Sequence, residues 1–270
     1  MLNIIRASLY KLFRDRTFIV TAVIGVILAL LMIGINSLAN TLNGESLFLS
    51  AITPGANFGL TIPINLIVFT VGEFTYGTVR NKIIAGLSKT KIYLGLFITG
   101  LVFTFILAGG YAALLIGVGS AIGGFNAEAI GGSQFIICYI VYVICSYTFI
   151  TALSLFFAAL FRQIGGAIAL VIILLVFLAY LPLIAFTIEA STSTGALDVA
   201  HWSMWVNPVF MPGFYGNNVV TILAQLMSGS AAQFFEQTTP MIAAGIVTPL
   251  MWTIIFVVGG LEIFKHSDVK

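Results

Sequence analysis

The sequence predicts an all-α integral membrane protein, a single domain over residues 1–270 with six transmembrane helices, and three observations lead there. The chain is 60% hydrophobic and only 7% charged, with a mean hydropathy of +1.13, far outside the range of soluble domains. Its apolar runs reach or exceed the roughly 20 residues a helix needs to cross a hydrocarbon core, and none alternates as a barrel strand does. All eleven basic residues lie in segments that six spans bring to one side.

Residues 2–16 open the chain, with Leu2, Ile5, Leu9, Leu12 and Phe13 apolar and Arg6, Lys11, Arg14 and Arg16 basic. That spacing fits a helix lying in the membrane interface before the chain turns into the bilayer. The first span follows at 17–38, too long for a signal-peptide core and so read as retained. A polar loop over 39–55 contains Asn40, Asn43, Gly44, Glu45 and Pro54. The second span, 57–72, is short and interrupted by Pro63, which makes it kinked or late to begin.

After a basic loop, 92–118 forms the third span and 119–133 a Gly-rich turn. The fourth span is 134–160, residues 161–164 make a tight turn holding Arg162, and the fifth span is 165–186. Residues 187–239 are the longest polar interruption. Within it 219–227 makes a short apolar helix, too short to span and suited to a re-entrant or interfacial position. The sixth span, 240–264, begins at Pro240, a residue well placed at a helix start.

With this count the N-terminus, the loop after span two, the Arg162 turn and the C-terminal tail share one side and hold every Lys and Arg. A random split would do this about once in a thousand chains, so the positive-inside rule puts both termini in the cytoplasm of a multi-pass protein of the cell membrane.

The loops are too short and apolar for a soluble catalytic domain. No GxxxxGK[ST], HExxH, CxxC or GxSxG motif is present. His201 and His266 fall on opposite faces and cannot share a metal, and Cys138 and Cys145 lie about 10 Å apart along one helix, beyond disulfide reach. The middle of every span is free of ionisable residues, while Glu73, Arg162 and Glu262 sit at cytoplasmic ends. That pattern argues against an ion-driven carrier and an intramembrane hydrolase, so the energy source lies in a partner. The many glycines of the spans fit either sliding helix crossings or ordinary small-residue packing.

Residues 73–93, EFTYGTVRNKIIAGLSKTKIY, are the distinctive stretch. They carry Arg80, Lys82, Lys89 and Lys91 between two long apolar runs. Residues 78–87 suit a short helix with Val79, Ile83, Ile84 and Leu87 on one side and Arg80, Asn81 and Lys82 largely on the other. By amphipathicity alone it is either a basic tether that fixes topology or a helix with a side free for a partner.

This stretch resembles the first cytoplasmic loop of ABC-2 type permeases, the membrane subunits of ATP-binding-cassette exporters, in the form E-x-x-x-GT-x-RNK-x-x-x-G-x-S+T+IY. The layout is similar along the whole chain. The resemblance implies that 78–87, with Thr78, Arg80, Asn81, Lys82, Gly86 and Leu87, is a coupling helix docking on a cytosolic ABC ATPase dimer, and that Glu73 is the acidic residue ending span two. It implies an elbow helix at 2–16 with Arg6, Lys11 and Arg14, and extracellular re-entrant helices within 219–237. A second permease subunit, the same chain or a homologue, completes the path.

The chain itself then binds no cofactor and is not an enzyme; ATP and Mg belong to the partner, and nucleic acid plays no part. The apolar path suits an amphiphilic substrate such as an antimicrobial peptide, drug or lipid-like molecule, which connects the protein to antimicrobial resistance. The aromatic outer segment with Trp202, Trp205, Phe210, Phe214 and Tyr215 is a candidate gate or substrate contact. It also motivates the alternative, an outer-face peptide-binding or immunity protein without transport.

Overall fold

A computed structural model describes residues 2–38, 44–51, 60–126, 132–191, 208 and 231–266, and every regular element among them is a helix. In chain order these are α1 (Leu2–Arg14), α2 (Arg16–Leu38), α3 (Gly44–Ala51), α4 (Thr61–Thr75), α5 (Thr78–Ile84), α6 (Lys89–Gly123), α7 (Gly132–Phe161), α8 (Ile164–Ser191) and α9 (Ala231–His266). Among the described residues four stretches are long and apolar enough to cross a membrane: Arg16–Leu38, Lys89–Gly123, Ile140–Phe161 and Gly245–His266. A fifth arises if α4 and α5, bent by 55°, form one span.

Helix α7 is the centre of the bundle. It packs most extensively on α9, then on α4, and also touches α6 and α8. Phe149, Ile150, Ala152, Leu153 and Ala158 are wholly buried on it. Helix α2 sits at the other extreme: Ile19, Val20, Val23, Ile27, Leu30 and Leu31 are all more than 50% exposed, an apolar surface that fits lipid. Several threonine and serine hydroxyls inside the bundle are satisfied locally. Thr99 donates to the Gly95 carbonyl (2.7 Å), Ser154 to that of Ile150 (2.6 Å) and Thr253 to that of Pro249 (2.7 Å). Thr104 and Thr151 join α6 to α7 at 3.0 Å, as polar residues do between helices in lipid.

Several expected boundaries move, each for a local reason. The first helix ends at Arg14 rather than at residue 16, because Asp15 caps α2: its Oδ1 accepts from the Thr17 amide at 3.0 Å. The polar loop after span one contains α3, whose Leu47, Phe48 and Ala51 are buried. Gly119–Gly123, expected to turn, continue α6 instead. A Cβ on Gly119 would meet Leu47 Cδ1 at 2.5 Å, so this glycine admits α3, and the helix closes only at Gly124 with φ +73°.

Helix α4 begins four residues later than the expected second span and ends three later, with Pro63 in its first turn. Helix α9 begins at Ala231, so Pro240 lies inside it and residues 231–237 belong to it rather than to a re-entrant element. Its N-terminal stretch, AAQFFEQTT, contains no glycine or proline to stop the helix. Trp202, Trp205, Phe210, Phe214, Tyr215 and the remainder of the expected outer helices lie outside the described residues.

Candidate functional site

The site is built where α4 turns into α5. Helix α4 closes with the Gly77 amide donating to the Phe74 carbonyl (3.1 Å) and the Tyr76 amide to that of Gly72 (3.0 Å). Gly77 has φ +68°, a left-handed conformation that strains any residue with a side chain. The same glycine is the N-cap of α5, its carbonyl accepting from the Asn81 amide at 2.9 Å. One residue thus ends one helix, starts the next and sets the bend between them.

The far end of α5 is a Schellman closure. Gly86, at φ +84°, donates from its amide to the Ile83 carbonyl (2.9 Å), and the Leu87 amide donates to the Lys82 carbonyl (3.1 Å). The expected helix at 78–87 therefore stops at Ile84. Ser88 then caps α6, its Oγ accepting from the Lys91 amide at 3.4 Å. Gly77, Gly86 and Ser88 of the motif are residues that break and restart the helix.

Glu73 lies one turn before the bend and is 1% exposed. Its Oε1 accepts from Lys11 Nζ of α1 at 2.5 Å and its Oε2 from Lys82 Nζ of α5 at 2.7 Å. Lys82 Nζ also lies 3.5 Å from Oγ of Ser8, itself buried on α1. Lys11 Nζ stands 5.9 Å from both the Phe69 and the Tyr76 ring centroids, the geometry of weak cation–π attraction. A carboxylate removed from water is costly unless paired and hydrogen-bonded. Here two ammonium groups pair it, and α1, α4 and α5 are joined through one side chain.

The pairing changes which face of α5 is free. Lys82 turns inward and is 16% exposed, whereas Ile84, expected on the apolar face, is 73% exposed. Val79 is fully buried and Ile83 packs on the core. Arg80 and Ile84, four apart, line the outer face with Asn81 beside them, and Tyr76 (78% exposed) stands in the turn that precedes the helix. Thr78 is half-buried in the first turn.

The other segments with basic residues meet at this end of the bundle. The Arg162 guanidinium stands over the Phe74 ring at 5.8 Å. Phe74 packs edge-on to Phe264 of α9 (5.7 Å), and Phe264 also meets Tyr93 of α6 (5.9 Å). Lys89 Nζ donates to the Lys265 carbonyl at 2.8 Å. The tight turn at Arg162 is as expected, with a non-glycine φ of 50°.

The structure thus unites Lys11, Glu73 and Lys82, exposes Arg80 and Asn81, and gives Gly86 and Leu87 closing roles. Arg6 and Arg14 stand apart on the exposed side of α1. Sequence reasoning missed Ser8 and the inward turn of Lys82. The signal for Ser8 was its register with Leu12, four residues on along the same face of α1. No protein-family model matches the chain, and no curated protein is detectably similar to it in sequence.

Proposed function

We propose that this protein is the permease subunit of an ATP-binding-cassette exporter of the ABC-2 type, driven by a separate cytosolic ATPase. The observation that carries the reading is the division of α5 into two faces. Its inner face is fastened through Lys82 and Glu73 to α1 and α4, and its outer face leaves Arg80, Asn81 and Ile84 exposed. A helix so held transmits a push on its outer face to the ends of α4 and α6 as a rigid body.

In this reading the membrane is crossed six times, by α2, α4, α6, α7, α8 and α9, with α5 and both termini cytoplasmic. A second permease subunit completes a path for an amphiphile, and ATP and Mg bind the partner. The exposed Arg80 complements an acidic ATPase surface.

The test is affinity purification from native membranes followed by assay of Mg-dependent ATP hydrolysis. Wild-type protein should bring down an ATPase, and R80E/I84E should lose it while keeping its fold. Transport by the isolated chain in liposomes without ATP would sink the proposal. Protection of cells by an ATPase-dead complex would favour an immunity protein that binds its ligand on the outer face.

A further inference from the structure

Helix α1 carries two kinds of basic residue. Lys11 is consumed by Glu73, but Arg6 and Arg14 lie on the opposite side of the helix from the buried Ser8 and Leu12, with Tyr10 between them. Positions 6, 10 and 14 are successive fours, so the three side chains form one stripe about 12 Å long. Arg14 is held in place: its Nη1 donates to Tyr10 Oη at 2.6 Å, and its guanidinium carbon stands 5.1 Å from the Tyr10 ring centroid. A guanidinium has five N–H donors, and this contact occupies one edge of it.

Among the described residues no carboxylate pairs with Arg6, Arg14 or Arg16, and the neighbouring Asp15 is engaged in capping α2. The stripe also borders an apolar surface. Phe13, 40% exposed, packs edge-on against Phe18 at 5.1 Å, and the exposed Ile19, Val20 and Val23 continue from there along α2. A ligand that fits both surfaces has a negatively charged head and an apolar tail.

We propose that the Arg6–Tyr10–Arg14 stripe binds the phosphate headgroup of an anionic phospholipid, whose acyl chain lies along Phe13, Phe18 and the exposed face of α2. The continuity of the basic stripe with a lipid-facing helix selects a membrane lipid over an acidic peptide or a free phosphate. The two arginines supply the charge, and Tyr10 orients one of them. The site is independent of whether α5 docks an ATPase.

The experiment is native mass spectrometry of the purified protein titrated with phosphatidylglycerol or phosphatidylcholine of equal chain length. Wild type should favour phosphatidylglycerol. R6Q/R14Q should lose about 25-fold of that affinity, roughly fivefold per arginine, with phosphatidylcholine binding and thermal unfolding unchanged. R80Q/K91Q, which removes the same charge elsewhere, should keep the preference, and Y10F should lower it less than the double arginine change. Glycerol phosphate, the headgroup without chains, should not compete. Equal binding of the two lipids to wild type, equal loss in R80Q/K91Q, or full competition by glycerol phosphate would overturn the proposal.

Discussion

Glu73 is the residue on which the basic end of the bundle turns, and its burial makes its removal costly in a specific order. Without the carboxylate, Lys11 and Lys82 face each other with nothing between them, so E73A should lose about 3 kcal/mol of stability. Lys82 is 16% exposed and Lys11 43%, so K82A should lose more than K11A, whose head is already partly in water. Thermal unfolding in detergent, read by tryptophan fluorescence, checks the order E73A, K82A, K11A; E73A with wild-type stability would remove the energetic role of the cluster. Gly77 makes a separate demand of the backbone. G77A should destabilise by about 1 kcal/mol through the left-handed φ of +68° alone, because a Cβ there meets nothing within 4 Å.

Helices in this bundle approach each other at a few glycines, and the structure separates those from glycines that face outward. On α9, a Cβ at Gly260 would fall 2.1 Å from Tyr93 Oη and 2.8 Å from its Cζ. G260A should therefore force α9 away from α6, lowering stability by about 2 kcal/mol. Y93F should recover part of the loss, since it removes the nearer atom. Y93F alone should be neutral or mildly stabilising, because this buried hydroxyl has no hydrogen-bond partner among the described residues. On α6, Gly117 has open space where its Cβ would stand. G117A should be neutral or stabilising within about 1 kcal/mol, through helix propensity. Unfolding midpoints of the four variants, compared under one detergent condition, decide whether the α6–α9 crossing is as close as these distances require.

The whole molecule is organised by the gathering of its basic segments at one end, and topology is the property to test there. In a background with Cys138 and Cys145 replaced, single cysteines at Ile84, Gln163 and His266 should react with a membrane-impermeant maleimide only after the cells are opened. A cysteine at Asn126 should react in intact cells. Labelling of Ile84 and Gln163 from opposite sides would break the six-span arrangement. The helical class, a helix of spanning length where 17–38 was expected, the tight turn at Arg162 and a separate helix at the N-terminus were legible in the sequence. Each rests on a local property: run length, a charge break, or a periodic apolar face.

Amphipathic pattern alone misassigned the two faces of α5. It put Lys82 outside and Ile84 inside, because a helical wheel counts polarity and carries no information about a carboxylate arriving from α4. It likewise read Gly119–Gly123 as a turn and left α3 unseen, because the use of Gly119 exists only once Leu47 packs against it. Composition and order along the chain, which set the transfer of each segment between water and an apolar phase, determined that the protein is helical, with several helices long and apolar enough to cross a membrane. Only the tertiary structure decided which charges are spent inside and which face outward, since the pairing of the buried Glu73 depends on residues 62 positions apart meeting at one atom pair.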